Sequence, residues 1–390
     1  MNYNGILVTT DFLIIGAGPA GSAAGISLMQ AGRDCIVVDK ARFPRVKLCG
    51  GLFTGKSQRV LGELLGKDKY DECMGVCVMS REKRFSLWQA DKPRHRMLVE
   101  VEPRKEIVLI DRPKFDEWMV RHYEQSGGKL IEGDGLVSVD FANGVARLSS
   151  GREISYRTLI AADGANGTVE RLLKPARWDA SRGNSLCLEV NVDRADCPDA
   201  DGVQIHFGVV PHSYAWSFAK GDKVCLGLVK LNGTEMNVQQ VFRQFLHNVG
   251  VQNIGKYPLR GAMIPFGNYM SRPAIQRQSS PSILFVGDAA RLVEPLTGEG
   301  IYYALQSGVY AAQSGGDAAA YLDSVCRLQR LIDKGGRYQR WLMGSAFFHS
   351  LMCRHAHKHP DFIEHFYSTQ IERACLDSFP KIVWKYKKGK

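Results

Sequence analysis

Long apolar runs are missing from this chain of 390 residues. No stretch approaches the ~18 residues that a membrane-spanning helix needs, so no transmembrane helix is expected. The opening segment, MNYNGILVTTD, has neither a basic start nor a long apolar core, so no export signal is expected and the protein reads as cytoplasmic. Ten cysteines are scattered without a framework. Cys73 and Cys77 form C-x-x-x-C, the wrong spacing for a redox C-x-x-C pair, and free thiols in a reducing compartment are the default. Internal repeats and low-complexity tracts are absent. Acidic residues are in deficit, 40 against 51 Lys and Arg, giving a net charge of +11 and a pI of about 9.1. That balance does not point to nucleic acid, because no recognised nucleic-acid module accompanies it.

What is present is a set of three glycine-containing turns. The first is GAGPAG (residues 16–21), behind an apolar run at Phe12, Leu13, Ile14 and Ile15. A short, β-branched run ending on glycine reads as a buried parallel strand. Gly16, Gly18 and Gly21 match G-x-G-x-x-G: one glycine for the tight turn, one for close approach of a pyrophosphate, one for helix–strand packing. The helix expected over residues 19–30, opening on Pro19 and Ala20, offers free N–H groups and its positive end to phosphate. DCIVVDK (residues 34–40) is a second strand, and Asp39 ends it close to the spacing of a ribose-binding carboxylate. Strand before, helix after and carboxylate on cue make a weak motif specific.

The second turn is ADGAN (residues 162–166), where Asp163-Gly164 follows the apolar residues 159–162. The third is GDAARLVEPLTGEGI (residues 287–301), behind residues 283–286. There Gly287 and Asp288 stand at a strand end, where the carboxylate can accept from ribitol hydroxyls. Pro295, Gly298 and Gly300 lead into an apolar helix from Ile301, whose N-terminus can face the N1–C2=O edge of a flavin. In this order and at these separations the three turns describe a site that wraps one extended FAD. No second G-x-G-x-x-G with strand context is visible, so NAD(P)H or an electron-transfer protein would act as a transient reductant.

These motifs resemble those of the p-hydroxybenzoate hydroxylase-like flavoproteins. VLIDRPKFDEWMV resembles that superfamily's R-x-x-F-D segment, which implies that Arg112 reaches the flavin side chain. Two further segments are similar to the geranylgeranyl reductase family. RVKLCGGLFTGKS (residues 45–57) resembles its Cys-Gly-Gly loop, and YAWSFAKGDKVCLGL (residues 214–228) resembles its Y-x-W-x-F-P segment. Ala219 stands in place of the expected proline, and Gly227-Leu228-Val229 replaces the G-x-G that usually follows. The resemblance implies that Cys49 lies near flavin and substrate, and Lys40, Lys47, Gly50 and Leu136 complete the expected FAD contacts. Arg45 and Lys47 flank Cys49 in sequence, and neighbouring cations favour a reactive thiolate.

The alternation of Tyr214, Trp216 and Phe218 puts three rings on one face of a strand, suited to a flat ring or an isoprenoid chain; plain core packing is the alternative. The expected chemistry is reduction of a C=C bond in an isoprenoid or lipid-like substrate, with Cys49, Tyr214 and Trp216 near the reacting carbon. A monooxygenase hydroxylating an aromatic substrate is the rival, because the FAD motifs serve both chemistries; a non-catalytic FAD protein acting at a membrane surface is the third reading. The W-x-W-x-I-P of related halogenases is absent.

The expected fold is α/β: a Rossmann-like FAD domain with an inserted mixed β-sheet substrate domain and a C-terminal helical segment. The FAD domain is discontinuous, over residues 1–75, 105–172 and 280–325. The substrate sheet comprises 76–104 and 173–279, and 326–390 is helical with a basic tail. That tail, KIVWKYKKGK, could bind anionic lipid headgroups at about 1 kcal/mol per cation, or be a solvated end. His349, Cys353 and His357 recur at i, i+4, i+8, with His355 and His359 near, but no partner motif completes a metal site, so none is expected.

Overall fold

A computed structural model describes residues 7–91, 94–102, 105–173, 184–266, 281–345, 347 and 349. The chain runs β1 (Val8–Ile15), α1 (Pro19–Gln30), β2 (Cys35–Asp39), β3 (Leu52–Phe53), α2 (Gly55–Leu65), α3 (Lys67–Cys77), β4 (Val78–Glu82), β5 (Phe85–Asp91) and β6 (Arg94–Val101). It continues with β7 (Ile107–Ile110), α4 (Arg112–Gln125), β8 (Lys129–Glu132), β9 (Leu136–Asp140), β10 (Val145–Leu148), β11 (Glu153–Ala161) and α5 (Thr168–Leu173). Then come β12 (Asn184–Asp193), β13 (Val203–Phe207), β14 (Tyr214–Lys220), β15 (Lys223–Lys230), α6 (Val238–Asn248), β16 (Arg260–Pro265), β17 (Ser282–Phe285), α7 (Ile301–Gln313) and α8 (Ala318–Gly344).

Three sheets organise these elements. In the first, β8, β2, β1, β11 and β17 are parallel, and β10 and β9 add an antiparallel pair on β11. Parallel strands need cover on both faces, and their sequences are correspondingly apolar: β2 and β17 are buried at every position. Register then fixes the site. Ile15 pairs with Ala161, Ala161 with Phe285, and Ile15 with Val38. The strand ends therefore lie side by side, and the three glycine turns emerge on one edge, at the carboxyl ends where open α/β sheets bind ligands.

The second sheet has the order β16-β12-β15-β14-β13-β5-β6, antiparallel except where β5 meets β13. Period-2 alternation gives it two apolar faces. Leu188, Val190, Leu226 and Leu228 face outward and are covered by Phe242, Phe245 and Leu246 of α6. Cys187, Trp216, Phe218, Cys225 and Val229 face inward, with Val293 and Leu296 of the segment before α7.

The remaining sheet is β3-β7-β4. Its β4 departs from the expectation that residues 76–104 join the large sheet: residues 76–77 complete α3, β4 pairs with β7, and among the described residues of that span β5 and β6 alone join the large sheet. The helix expected from Ile301 runs to Gln313, and α8 begins at Ala318, ahead of residue 326. His349 is buried and bonds Gln89 Oε1 through Nδ1 at 3.1 Å. Cys353, His355, His357, His359 and the basic tail lie outside the described residues. Among the described residues no cluster of His, Cys, Asp and Glu could hold a metal ion, and no helix is long and apolar enough to cross a membrane.

Candidate active site

The first turn is built by close backbone approach. Gly16 has φ +102°, and a Cβ there would lie 2.4 Å from the carbonyl oxygen of Ala162, the first residue of the second turn. A Cβ on Gly21 would lie 1.9 Å from the Gly16 carbonyl oxygen. Only glycine permits this contact between β1, α1 and the 162–166 turn. Pro19 opens α1, and no side chain caps its N-terminus, which leaves N–H groups for an anion. Asp39 is buried at the end of β2; its Oδ2 accepts from Ala17 N–H and its Oδ1 from Ala41 N–H, both at 2.8 Å.

Arg45 lies over this turn. Its Nη2 is 3.2 Å from where a Gly18 Cβ would stand, and 3.3 Å from Asp116 Oδ2. The guanidinium also stacks on Phe43, 4.9 Å from the ring centroid. Fully buried Asp116 at the same time binds Arg112 through both oxygens, at 3.0 and 3.1 Å. One carboxylate thus orients two guanidinium groups, the fork geometry for which arginine is suited. Burial works against charge on Arg112, but Asp116, followed by Cys49, more than offsets it and the group stays cationic.

Cys49 is half-buried and accepts from Gly51 N–H at 3.4 Å. The cation beside it is Arg112, which corrects the expectation drawn from its sequence neighbours. Arg45 is engaged by Asp116, and Lys47 Nζ stands 3.8 Å from Asp288 Oδ2. Residues adjacent along an irregular loop point in different directions, so sequence proximity misassigned the partner.

Asp163 Oδ2 accepts from Val169 N–H at 2.9 Å, while Oδ1 is buried without a partner. Burial raises this carboxyl to about 6, with the Val169 N–H and then Lys40 among the groups that oppose the rise. Gly164 follows in a left-handed turn, φ +80°. Lys40 packs near Gly135, and Leu136 opens β9, half-buried. Asp288 stands in a helical turn after β17, and the Gly287 N–H is held by Ser307 Oγ at 2.9 Å.

The segment before α7 is fixed by two buried acids that sequence reading passed over. Glu294 accepts from Leu296 N–H, Thr297 N–H and the Thr297 hydroxyl at 3.0, 2.8 and 2.7 Å. Burial raises its carboxyl above the usual range, and the Thr297 hydroxyl is the largest opposing influence. Glu299 Oε2 pairs with Lys56 Nζ at 2.7 Å, and Thr54 donates to Glu299 Oε1 at 2.5 Å. Charged residues in glycine-rich loops read as solvated surface, and nothing local marked these as buried. Pro295 is buried within this segment. Gly300 stands at the N-cap of α7 without a side-chain cap, Ile301 opens the helix, and no acid lies in its first turn.

The aromatic strand meets both loops. Tyr214 donates its hydroxyl to the Thr297 carbonyl, and a Cβ on Gly298 would lie 3.0 Å from the Tyr214 hydroxyl oxygen. The Tyr214–Trp216 and Trp216–Phe218 centroids are 6.3 and 6.2 Å apart. Phe218 packs on the Cys-Gly-Gly loop, with Cε2 2.7 Å from a Gly50 Cβ position; Trp216 Nε1 is 3.3 Å from the same position. The indole lies over Gly227, with Cζ2 2.2 Å from where a Cβ would be. Burial raises the Tyr214 phenol far above its usual value, so it serves as a hydrogen-bond donor and not as an acid.

The geometry fits FAD. An uncapped helix start, a guanidinium over Gly18 and a close-approach glycine suit its pyrophosphate. The partnerless oxygen of Asp163 and the strand-end carboxylate Asp288 suit hydroxyls, and the uncapped start of α7 suits the anionic edge of a flavin. A parallel sheet with this constellation, faced by an antiparallel sheet, defines a flavoprotein oxidoreductase. A model of the FAD binding domain family matches residues 9–314, and the chain belongs to that family.

An uncharacterized protein of Methanosarcina barkeri is 30% identical over 78% of this chain and 73% of its own length. The menaquinone reductase of Mycobacterium tuberculosis is 29% identical over 78% of this chain and 76% of its own. Digeranylgeranylglycerophospholipid reductase 2 of Methanosphaera stadtmanae is 26% identical over 78% and 77%. Among solved structures, a geranylgeranyl bacteriochlorophyll reductase-like protein of Thermoplasma acidophilum superposes with a TM-score of 0.69 at 19% identity, over 98% of this chain and 100% of that one. These relatives bear out the resemblance read in the Cys-Gly-Gly and Y-x-W-x-F segments: the protein is an FAD-dependent oxidoreductase of the geranylgeranyl reductase-like kind.

Proposed function

We propose that this protein reduces C=C bonds in an isoprenoid or lipid-like substrate. The supporting observation is the direct contact of the aromatic strand with the Cys-Gly-Gly loop, Phe218 and Trp216 against Gly50. An apolar face beside the cofactor loop can align a chain and exclude water. Menaquinone and digeranylgeranylglycerophospholipid, named for two relatives, have an isoprenoid chain in common.

When bound and reduced, FAD supplies hydride to one alkene carbon, its own electrons coming from NAD(P)H or an electron-transfer protein. The chain's residues bind, orient and shield. Arg45 and the α1 N-terminus hold the pyrophosphate, with Asp39 at the adjoining ribose. Arg112, Asp163 and Asp288 hold the remainder of the cofactor's linker. Tyr214, by clasping the Thr297 carbonyl, fixes the loop that presents the α7 N-terminus. Cys49, Tyr214 and Trp216 border the reacting carbon, and Phe218 extends the apolar wall. We assign residues 1–75, 105–172 and 280–325 to cofactor binding, 76–104 and 173–279 to substrate binding, and the basic residues near the C-terminus to contact with an anionic membrane from the cytoplasm.

The test is anaerobic reduction of the FAD-loaded protein, followed by addition of an isoprenoid lipid extract. Re-oxidation without oxygen, with mass spectrometry showing a hydrogen pair gained per double bond, is expected. Re-oxidation by oxygen alone, with an oxygenated aromatic product, would overturn the reading in favour of a monooxygenase.

A further inference from the structure

Reduction of an alkene needs a proton as well as a hydride, and on the inner face of the large sheet, among the described residues, the buried acid Glu189 has one oxygen without a hydrogen-bond partner. Glu189 lies on β12 between Leu188 and Val190, which face outward, so its side chain faces inward. It is 3% exposed, and Oε2 is buried with no hydrogen-bond partner. Oε1 accepts from Asn191 Nδ2 at 3.3 Å.

The register places Glu189 beside the reacting region. Glu189 is opposite Gly227, and Gly227 is opposite Trp216. Because Gly227 has no side chain, the Trp216 indole occupies the space above it, next to Glu189, while its Nε1 touches the Gly50 position. Glu189, Trp216 and the Cys49–Gly50 turn therefore form one layer.

The other acids near this layer are engaged. Tyr214 gives its hydroxyl hydrogen to Thr297, and both Glu294 oxygens are taken by the 296–297 segment. Glu299 is held by Lys56 and Thr54.

The charged and titratable groups around Glu189 come from four other elements. Buried Lys220 of β14 reaches over Gly51, with Nζ 2.8 Å from a Cβ position there. Cys225 of β15 contacts the carboxyl, and Arg112 of α4 acts on it from the cofactor side. Arg260 of β16 is its opposite neighbour in register and is exposed. Cys187 shares its strand and face. Burial raises the carboxyl above its usual range, and Lys220 is the largest opposing influence. No ion pair joins Glu189 and Lys220 among the described residues, so burial favours the neutral carboxyl while a cation lies near to steady the carboxylate it becomes.

We propose that Glu189 is the proton donor of the reduction, with Lys220 its positioning residue; this rests on the reaction assigned above. One alkene carbon receives hydride, the π pair shifts to the neighbouring carbon, and that carbon takes the Glu189 proton. The carboxylate left behind regains a proton from water. The electron pair leaves reduced FAD, which a nicotinamide or electron-transfer protein restores.

The experiment compares wild type, Glu189→Gln and Glu189→Asp, each FAD-loaded and chemically reduced under anaerobic conditions. The substrate is a digeranylgeranylglycerophospholipid in detergent micelles, and single turnovers are followed across pH. Wild type is expected to lose rate as pH rises through the raised carboxyl value, because the protonated form acts. Glu189→Gln should hold and reduce its FAD normally, yet turn over on the order of a hundredfold more slowly without that pH dependence; Glu189→Asp should recover part of the rate. Infrared difference spectra should show a protonated-carboxyl band at neutral pH in wild type, with and without FAD, that Glu189→Gln lacks. A Glu189→Gln protein matching wild type in rate and pH profile overturns the assignment, as does the absence of that band. If Glu189→Gln does not retain FAD, a wild-type rate that does not fall with rising pH overturns it instead. Failure of wild type to reduce any isoprenoid alkene sinks the reaction itself; reduction with an unaffected Glu189→Gln sinks only the role of Glu189.

Discussion

Lys56 and Glu299 form a buried ion pair, Nζ to Oε2 at 2.7 Å, that ties the start of α2 to the segment entering α7. The Lys56 ammonium also lies 4.6 Å from the Tyr302 ring centroid. Removing one member of such a pair leaves a desolvated charge. Lys56→Met should destabilise the protein by about 3–5 kcal/mol, whereas Lys56→Met with Glu299→Gln should recover much of the loss. Thermal or urea unfolding of the single and double variants checks this; equal losses in both would show that the pair does not act as a unit.

Arg45 is oriented by Asp116 at the second glycine of the first turn. Charge-assisted contacts to an anion are worth about 2–3 kcal/mol, so Arg45→Met should weaken FAD binding roughly 30- to 150-fold. Equilibrium dialysis or FAD fluorescence measures this. Arg45→Lys should recover only part of the affinity, since a point charge cannot span pyrophosphate and Asp116 together.

Gly227 and Gly50 leave the room that the aromatic strand fills. A Cβ on Gly227 would stand 2.2 Å from Trp216 Cζ2, so Gly227→Ala must displace the indole. Overpacking of this kind costs about 1–3 kcal/mol. Tryptophan fluorescence should shift, and turnover should fall while FAD content is preserved. Unchanged emission with unchanged turnover would mean that the ring position does not matter to the site.

Asp163 carries a pH signature. Its folded carboxyl is raised to about 6 from 3.8, chiefly by burial, against the opposing Val169 N–H. A raised acid is favoured protonated in the folded state, so its contribution is fully present below 3.8 and is lost as pH rises through about 6. Asp163→Asn should remove that decline and leave the FAD-free protein roughly 3 kcal/mol more stable at neutral pH than wild type. Urea unfolding at a series of pH values measures it. A wild-type curve with no Asp163-dependent fall over this window would contradict the argument.

Local signals carried much of the fold. Strand, glycine turn and helix are adjacent in sequence, and the phosphate-binding helix runs from Pro19 to Gln30 as its pattern implies. Apolar residues at 12–15, 159–161 and 283–285 fall in parallel strands because buried strands read as continuous apolar runs. Around β4, alternation marks a strand without naming its sheet. Pairing with β7 is settled by long-range register, which shifts between Val78 and Ser80.

The sequence by itself determined the cofactor class and the α/β architecture, since backbone geometry at Gly16, Gly164 and Gly287 is a local property. Only the tertiary structure decided which charges meet. Arg112 stands beside Cys49, Lys56 finds Glu299 across most of the chain, and Glu189 is buried with an oxygen unpaired. Burial and pairing arise when distant segments dock, and the energy of a charge depends on that docking far more than on its neighbours in sequence.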